Sequence, residues 1–132
     1  MPATDIALPS VRRLFETNVL GVMATVQAFA APLVAARGLV VNIASLAAAV
    51  PYVFGAAFAA SKGAVVAYSR ALRQELAPFG VRVTVVMAGT VRTTIDDERR
   101  RLQRLPAGSL YSFRMNELAA RLKDDERQRK LT

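Results

Sequence analysis

The apolar residues Val11, Phe15, Val22, Val26, Phe29 and Leu33 recur at intervals of three, four and seven, the spacing of one face of an α-helix. The spacing predicts a helix from about Val11 to Ala36, with Ser10 as its N-cap and Pro32 bending or ending it. Gly38 then interrupts the pattern, and Leu39-Val40-Val41-Asn42-Ile43 is a short, β-branched run of the kind that forms a buried strand. Residues 44–55 carry Pro51 and Gly55 and read as a loop. A second long helix is expected over Ala56–Ala77, starting with small apolar residues. Pro78-Phe79-Gly80 is a turn signal, and Val81–Met87 is a second buried strand. Helix and strand in alternation imply an α/β chain with parallel strands flanked by long helices. Beyond a loop at 89–95, a short charged helix is expected at 97–104. Leu105-Pro106-Ala107-Gly108 breaks it, and a polar helix follows at 113–130. The chain thus divides into a sheet-forming part, 1–95, and a charged helical tail, 96–132.

Composition narrows the chemistry. At 132 residues and 53% hydrophobic, the chain is sized for one domain and too apolar for a disordered one. It contains no cysteine and no histidine, which excludes disulfides, thiol chemistry, histidine triads and most transition-metal sites; no metal site is expected. The net charge of +8 suits either an anionic partner or a merely basic surface. The excess is spread along the chain, and Arg99–Arg101 follows Asp96, Asp97 and Glu98. No nucleic-acid partner is expected. The first ten residues lack the basic start and apolar core of a signal peptide. Thr17–Ala36 and Gly38–Ser61 are free of charge, but Asn18, Gln27 and Pro32 interrupt the first, and Asn42, Ser45, Pro51 and Gly55 the second. A buried helix and a strand–loop–helix are expected there rather than a transmembrane span.

Single residues suggest where chemistry would sit. Ser45 follows the first strand, and open α/β sheets bind ligands at the carboxyl ends of their strands. From spacing alone, a turn serine bonding its own backbone is the commoner outcome. Lys62 is a lone cation in the run Phe54–Tyr68. It either snorkels to solvent or meets an anionic or hydroxyl-rich ligand. Phe58 lies four residues earlier, on the same helix face. Asn18 falls on the apolar stripe of the first helix, where a buried amide is either a satisfied core residue or part of a site.

Their order is specific. Asn18, then Gly38–Ser45 ending in serine, then Phe58-Ala59-Ala60-Ser61-Lys62, then Ala88-Gly89-Thr90-Val91-Arg92-Thr93 after a strand, together resemble the short-chain dehydrogenase/reductase family over about residues 11–95. The resemblance implies a partial Rossmann-type unit corresponding to the family's C-terminal half, the first half being absent. It implies NADP as cofactor and reduction of a carbonyl. Ser45, Lys62 and Asn18 fall on catalytic positions, and Phe58, Lys62, Val91 and Thr93 on cofactor-binding ones. Pro51-Tyr52 with Phe54-Gly55, then Glu75–Val81, then Leu105-Pro106 with Ser109-Leu110-Tyr111, resemble more narrowly the fungal acyl-dihydroxyacetone-phosphate reductases, which reduce a ketone in a lipid precursor with NADPH.

Three departures from the family pattern change what is expected. Phe58 stands where the family has its proton-donating tyrosine, and Tyr52 is the one nearby stand-in. No glycine-rich turn follows a first strand, and Ala88 replaces the proline of the family's Pro-Gly loop. The chain alone is therefore expected to be inactive or weakly active. The family resemblance also implies a homo- or hetero-dimer through helices 11–36 and 56–77, which gives the alternative of a noncatalytic subunit of a complete relative. A truncated gene product is the third reading. The cytoplasm, or an endoplasmic-reticulum or lipid-droplet surface, fits the resemblance.

Overall fold

The computed structural model describes residues 1–89 and 105–112. Its elements are α1 (Leu8–Phe15), a π-helical turn (Glu16–Leu20), α2 (Gly21–Ala35), β1 (Leu39–Ser45), a 3-10 turn (Leu46–Ala48), α3 (Ala56–Leu76), a second 3-10 turn (Ala77–Phe79) and β2 (Arg82–Ala88). The helices expected at 97–104 and 113–130 lie outside the described residues. β1 and β2 form a two-stranded parallel sheet, in register from Leu39 opposite Arg82 to Ser45 opposite Ala88. β1, α3 and β2 make the expected strand–helix–strand unit. Gly80, at φ 76°, closes α3's end in the left-handed conformation that glycine adopts without a Cβ penalty.

The first helix ends where expected but differs from expectation at its start and in its middle. It starts at Leu8 with Ala7 as N-cap and no capping side chain, so Ser10 is not the cap. Pro9 supplies the start, since a proline in the first turn removes an amide that would have no helical acceptor. Pro32 lies inside α2, which runs on to Ala35. The helix is also not buried. Among α2's residues only Val26 is fully covered, and Phe29 is 59% exposed. Leu8–Ala35 is long and apolar enough, by length and composition, to cross a membrane, and 11% of its most apolar stretch is buried. The reason lies in the packing. β1 is the strand this helix packs on, and one strand cannot cover a helix face on its own.

The core is where α2 and α3 meet one face of the sheet. Val26, Val40, Leu72, Val81 and Val83 are buried together there, flanked by Leu33, Val34, Tyr68 and Leu76. The alternation of β1 delivers Val40, Asn42 and Ala44 to that face. Asn42 is satisfied in the core, its Nδ2 donating to Ser69 Oγ at 2.8 Å while Ser69 Oγ donates to the Val65 carbonyl at 2.7 Å. The opposite face holds Leu39, Val41, Ile43 and Val86, each more than two-fifths exposed. Neighbouring exposed aliphatic side chains mark an interaction surface. The chain alone should therefore elute larger than a monomer in size-exclusion chromatography with light scattering. A monomer with a sharp thermal transition would show that this face is tolerated in water.

The ladder fixes which backbone groups are shared. The Arg82 N–H donates to the Gly38 carbonyl at 3.0 Å. With the observed register, Val40, Asn42 and Ala44 turn both backbone groups toward β2, and Leu39, Val41 and Ile43 turn theirs toward the open edge. Along that edge runs a groove of about 620 Å³, with β1 as one wall and α2, through Val22, Val26, Phe29 and Leu33, as the other.

Candidate active site at the carboxyl end of the strands

The site is built where β1 ends and α3 begins. Ser45 is the last residue of β1, and its Oγ accepts from the Ala47 N–H at 3.2 Å, capping the 3-10 turn that follows. The turn role weighed for this serine is thus realised, at the strand end where the family places its carbonyl-binding hydroxyl. Two residues earlier, the Ile43 carbonyl accepts from Lys62 Nζ at 3.0 Å. Lys62 reaches it from the second turn of α3, with Nζ 6.0 Å from the centroid of the Phe58 ring, at the outer limit of a cation–π contact. The helical spacing of four places Phe58 and Lys62 side by side, so the structure joins β1's end, Phe58 and Lys62.

Asn18 joins them from the other side. It sits in the π-helical turn Glu16–Leu20, a distortion that inserts one residue into a helix and often marks a functional site. Its Nδ2 donates to Ser61 Oγ at 3.0 Å, and Ser61 Oγ donates to the Phe58 carbonyl at 2.8 Å. Ser61 is fully buried. A chain Asn18–Ser61–Phe58 therefore ties the first helix to the turn of α3 that carries Phe58 and Lys62. Ser61 stands inside the Phe58–Lys62 motif, and its place in that motif is the signal in the sequence that points to it. Nothing in Glu16-Thr17-Asn18-Val19-Leu20 announces the π turn, which contains neither glycine nor proline. Val91 and Thr93 lie outside the described residues.

The three tyrosines stand at positions 52, 68 and 111. The Tyr52 ring packs against Gly55, so closely that a Cβ there would come within 2.4 Å of it. Tyr68 lies on the core side of α3, and burial, then the Glu75 carboxylate, push its phenol above the usual tyrosine value. That shift is opposite to what a donor working near neutral pH requires. The rim beside Tyr52 is pinned by the edge-to-face pair Phe54–Tyr111, ring centroids 5.5 Å apart, and by Ser109 Oγ donating to Asp5 Oδ2.

The residues fit one end of a nicotinamide dinucleotide. Lys62 and Ser45 suit the ribose hydroxyls and a carbonyl at the strand ends. Among the described residues no glycine-rich turn follows a strand and opens a helix, as a pyrophosphate cradle requires.

Comparison with known proteins agrees with this geometry. The short chain dehydrogenase family pattern matches residues 1–104. The short-chain dehydrogenase srdE of Neurospora crassa is 44% identical over 114 residues, which cover 85% of this chain and 38% of that protein. The NADPH-dependent 1-acyldihydroxyacetone phosphate reductase of Schizosaccharomyces pombe is 45% identical over 97 residues, covering 74% of this chain and 33% of the relative. Among solved structures, a short chain dehydrogenase from Burkholderia cenocepacia in complex with NADP matches with a TM-score of 0.68 at 31% identity, over 80% of this chain and 44% of that one. NAD+-bound xylitol dehydrogenase matches with a TM-score of 0.69 at 29% identity, over 83% and 43%. The chain spans between a third and a half of the length of these proteins.

Proposed function

The chain belongs to the short-chain dehydrogenase family, and we propose that it carries the substrate-side half of an NADP-dependent carbonyl reductase whose proton-donor position is blocked. The observation that carries this reading is Phe58, whose ring sits beside Lys62 where the family has a phenol. Phenylalanine has no proton to deliver to an alkoxide, and a general acid typically contributes about 10²–10⁴-fold. In this reading Ser45 Oγ holds the carbonyl oxygen and Lys62 holds the ribose hydroxyls. Asn18, in its π turn, orients a water on the proton path. NADP, when bound, supplies hydride to the carbonyl carbon. The S. pombe relative supports a ketone in a lipid precursor as substrate.

The test is cofactor affinity. The purified chain should show no NADPH binding by calorimetry, because no described residue cradles the pyrophosphate. Micromolar binding, worth about 8 kcal/mol, would overturn the proposed division of labour. A second reading, a noncatalytic subunit that pairs with a complete relative through helices 11–36 and 56–77, is supported by the exposure of Leu20 and Phe29.

A further inference from the structure

We propose that Arg37 and Arg82, at the amino end of the sheet, form a binding site for a phosphate group. Arg37 lies in the turn from α2 to β1, and Arg82 opens β2 after the turn that ends α3. The two turns are joined, since the Arg82 N–H donates to the Gly38 carbonyl at 3.0 Å. The place is at the far end of β1 from Ser45 and Lys62, about 20 Å along a strand of 7 residues. It therefore stands or falls separately from the proposed reaction.

The backbone at Arg37 is strained to present this side chain. α2 ends with the Gly38 N–H donating to the Leu33 carbonyl at 2.9 Å and the Arg37 N–H donating to the Val34 carbonyl at 3.2 Å. A helix end of this kind puts the residue before Gly38 in the left-handed region and usually fills it with glycine. Arg37 sits there with φ 47°, where a Cβ crowds the following carbonyl. Strain of this sort persists where a function needs the side chain. The neighbouring turn makes room for it. A Cβ on Gly80 would meet Arg37 Cδ at 3.2 Å and Cγ at 3.3 Å, so the arginine stem lies over a residue without a side chain.

Charge then selects the ligand. Arg37 and Arg82 are exposed, and among the described residues neither guanidinium has a hydrogen-bond or ion-pair partner. Arg73, in the last turn of α3, adds a third cation, its Nε donating to the Val83 carbonyl at 2.9 Å. Opposing them are Glu75 and the carbonyl ends of α2 and α3, each end worth roughly half a negative charge. The cations outweigh these. Guanidiniums also offer forked donors that match the oxygens of a phosphate. A carboxylate would neutralise one arginine of the pair, whereas a phosphate dianion neutralises both.

The test is NMR of the full chain at constant ionic strength, following the arginine side-chain N–H signals while inorganic phosphate replaces chloride. The Arg37 and Arg82 signals should shift saturably, and those of Arg12 and Arg13, on α1, should not. Arg82→Gln should weaken the phosphate response by about tenfold or more, the factor expected for hydrogen bonds to a charged group. Arg37→Gly should weaken it as much and raise the thermal midpoint, because glycine adopts the left-handed region without a Cβ penalty. Should Arg82→Gln fail to fold, the wild-type titration and Arg37→Gly carry the test. Cosedimentation with phosphatidylcholine vesicles, with and without phosphatidic acid, identifies the source. Binding that needs phosphatidic acid and both arginines places the phosphate on a lipid headgroup, and a phosphate response without vesicle binding places it on a soluble ligand. No response to either probe, a response that chloride reproduces, or one that survives both substitutions would overturn the proposal. So would a lowered midpoint in Arg37→Gly, which would make Arg37 a structural residue.

Discussion

Joined to the N-terminal residues of the N. crassa relative, the chain should bind NADPH and reduce ketones slowly, and Phe58→Tyr in that chimera should raise turnover by about 10²-fold or more. In the isolated chain the same substitution should restore nothing, because without a bound nicotinamide a proton donor has no hydride transfer to assist. A phenol at position 58 would stand one helical turn from Lys62, close to the 6.0 Å that separates Nζ from the present ring centroid. A neighbouring ammonium favours the phenolate and so lowers the phenol's pKa from about 10 toward the working range. Lys62→Ala in the tyrosine-bearing chimera should therefore remove most of the gain. Lys62→Met is less informative there, since it keeps the bulk against position 58. Steady-state turnover with a small ketone reads all of these variants.

The second large effect concerns folding. Leu72→Ala should destabilise the chain by about 2–5 kcal/mol, through lost burial and the cavity left behind. Leu72 is 6% exposed and packs among Val26, Val40, Val81 and Val83. It is the largest side chain of that buried set, and two strands with one covered face leave few others to close around the gap. Since small domains are only marginally stable, the expected observation is a lost or strongly lowered cooperative transition by circular dichroism. Leu46→Ala, at a residue 52% exposed, is the control and should shift the midpoint little.

The elements that carry a strong period were legible in the sequence. The β-branched runs around Val40 and Val83 became paired strands because β-branched residues suit a pleated, half-buried surface, and the long helix expected over Ala56–Ala77 runs from Ala56 to Leu76. The order of Asn18, Ser45 and Lys62 was readable through the family resemblance, and of the three only Ser45, the last residue of β1, stands at an element end that the pattern itself places. Burial was less legible. An uncharged helix reads as buried, whereas α2 is open, since exposure depends on how many neighbours the fold supplies and not on the helix's own pattern. The polar contacts were hardest to foresee. Asn18–Ser61, Asn42–Ser69 and Lys62–Ile43 span between 19 and 43 positions, and no local propensity records which hydroxyl or carbonyl a side chain will meet. The π turn at Asn18 belongs with them, since Glu16–Leu20 contains neither glycine nor proline to mark it.

In the proposed function Phe58 removes a proton and not a binding contact, and one comparison in the chimera separates the two. NADPH affinity by calorimetry and hydride transfer by single-turnover loss of NADPH absorbance are compared for the Phe58 chimera and its Phe58→Tyr variant. Equal affinities are expected, with transfer rates that differ by about 10²-fold or more. Equal rates would contradict it, since Tyr52 or a water would then already supply the proton. Unequal affinities with equal rates would contradict it as well, by making position 58 a contact for the cofactor and nothing more.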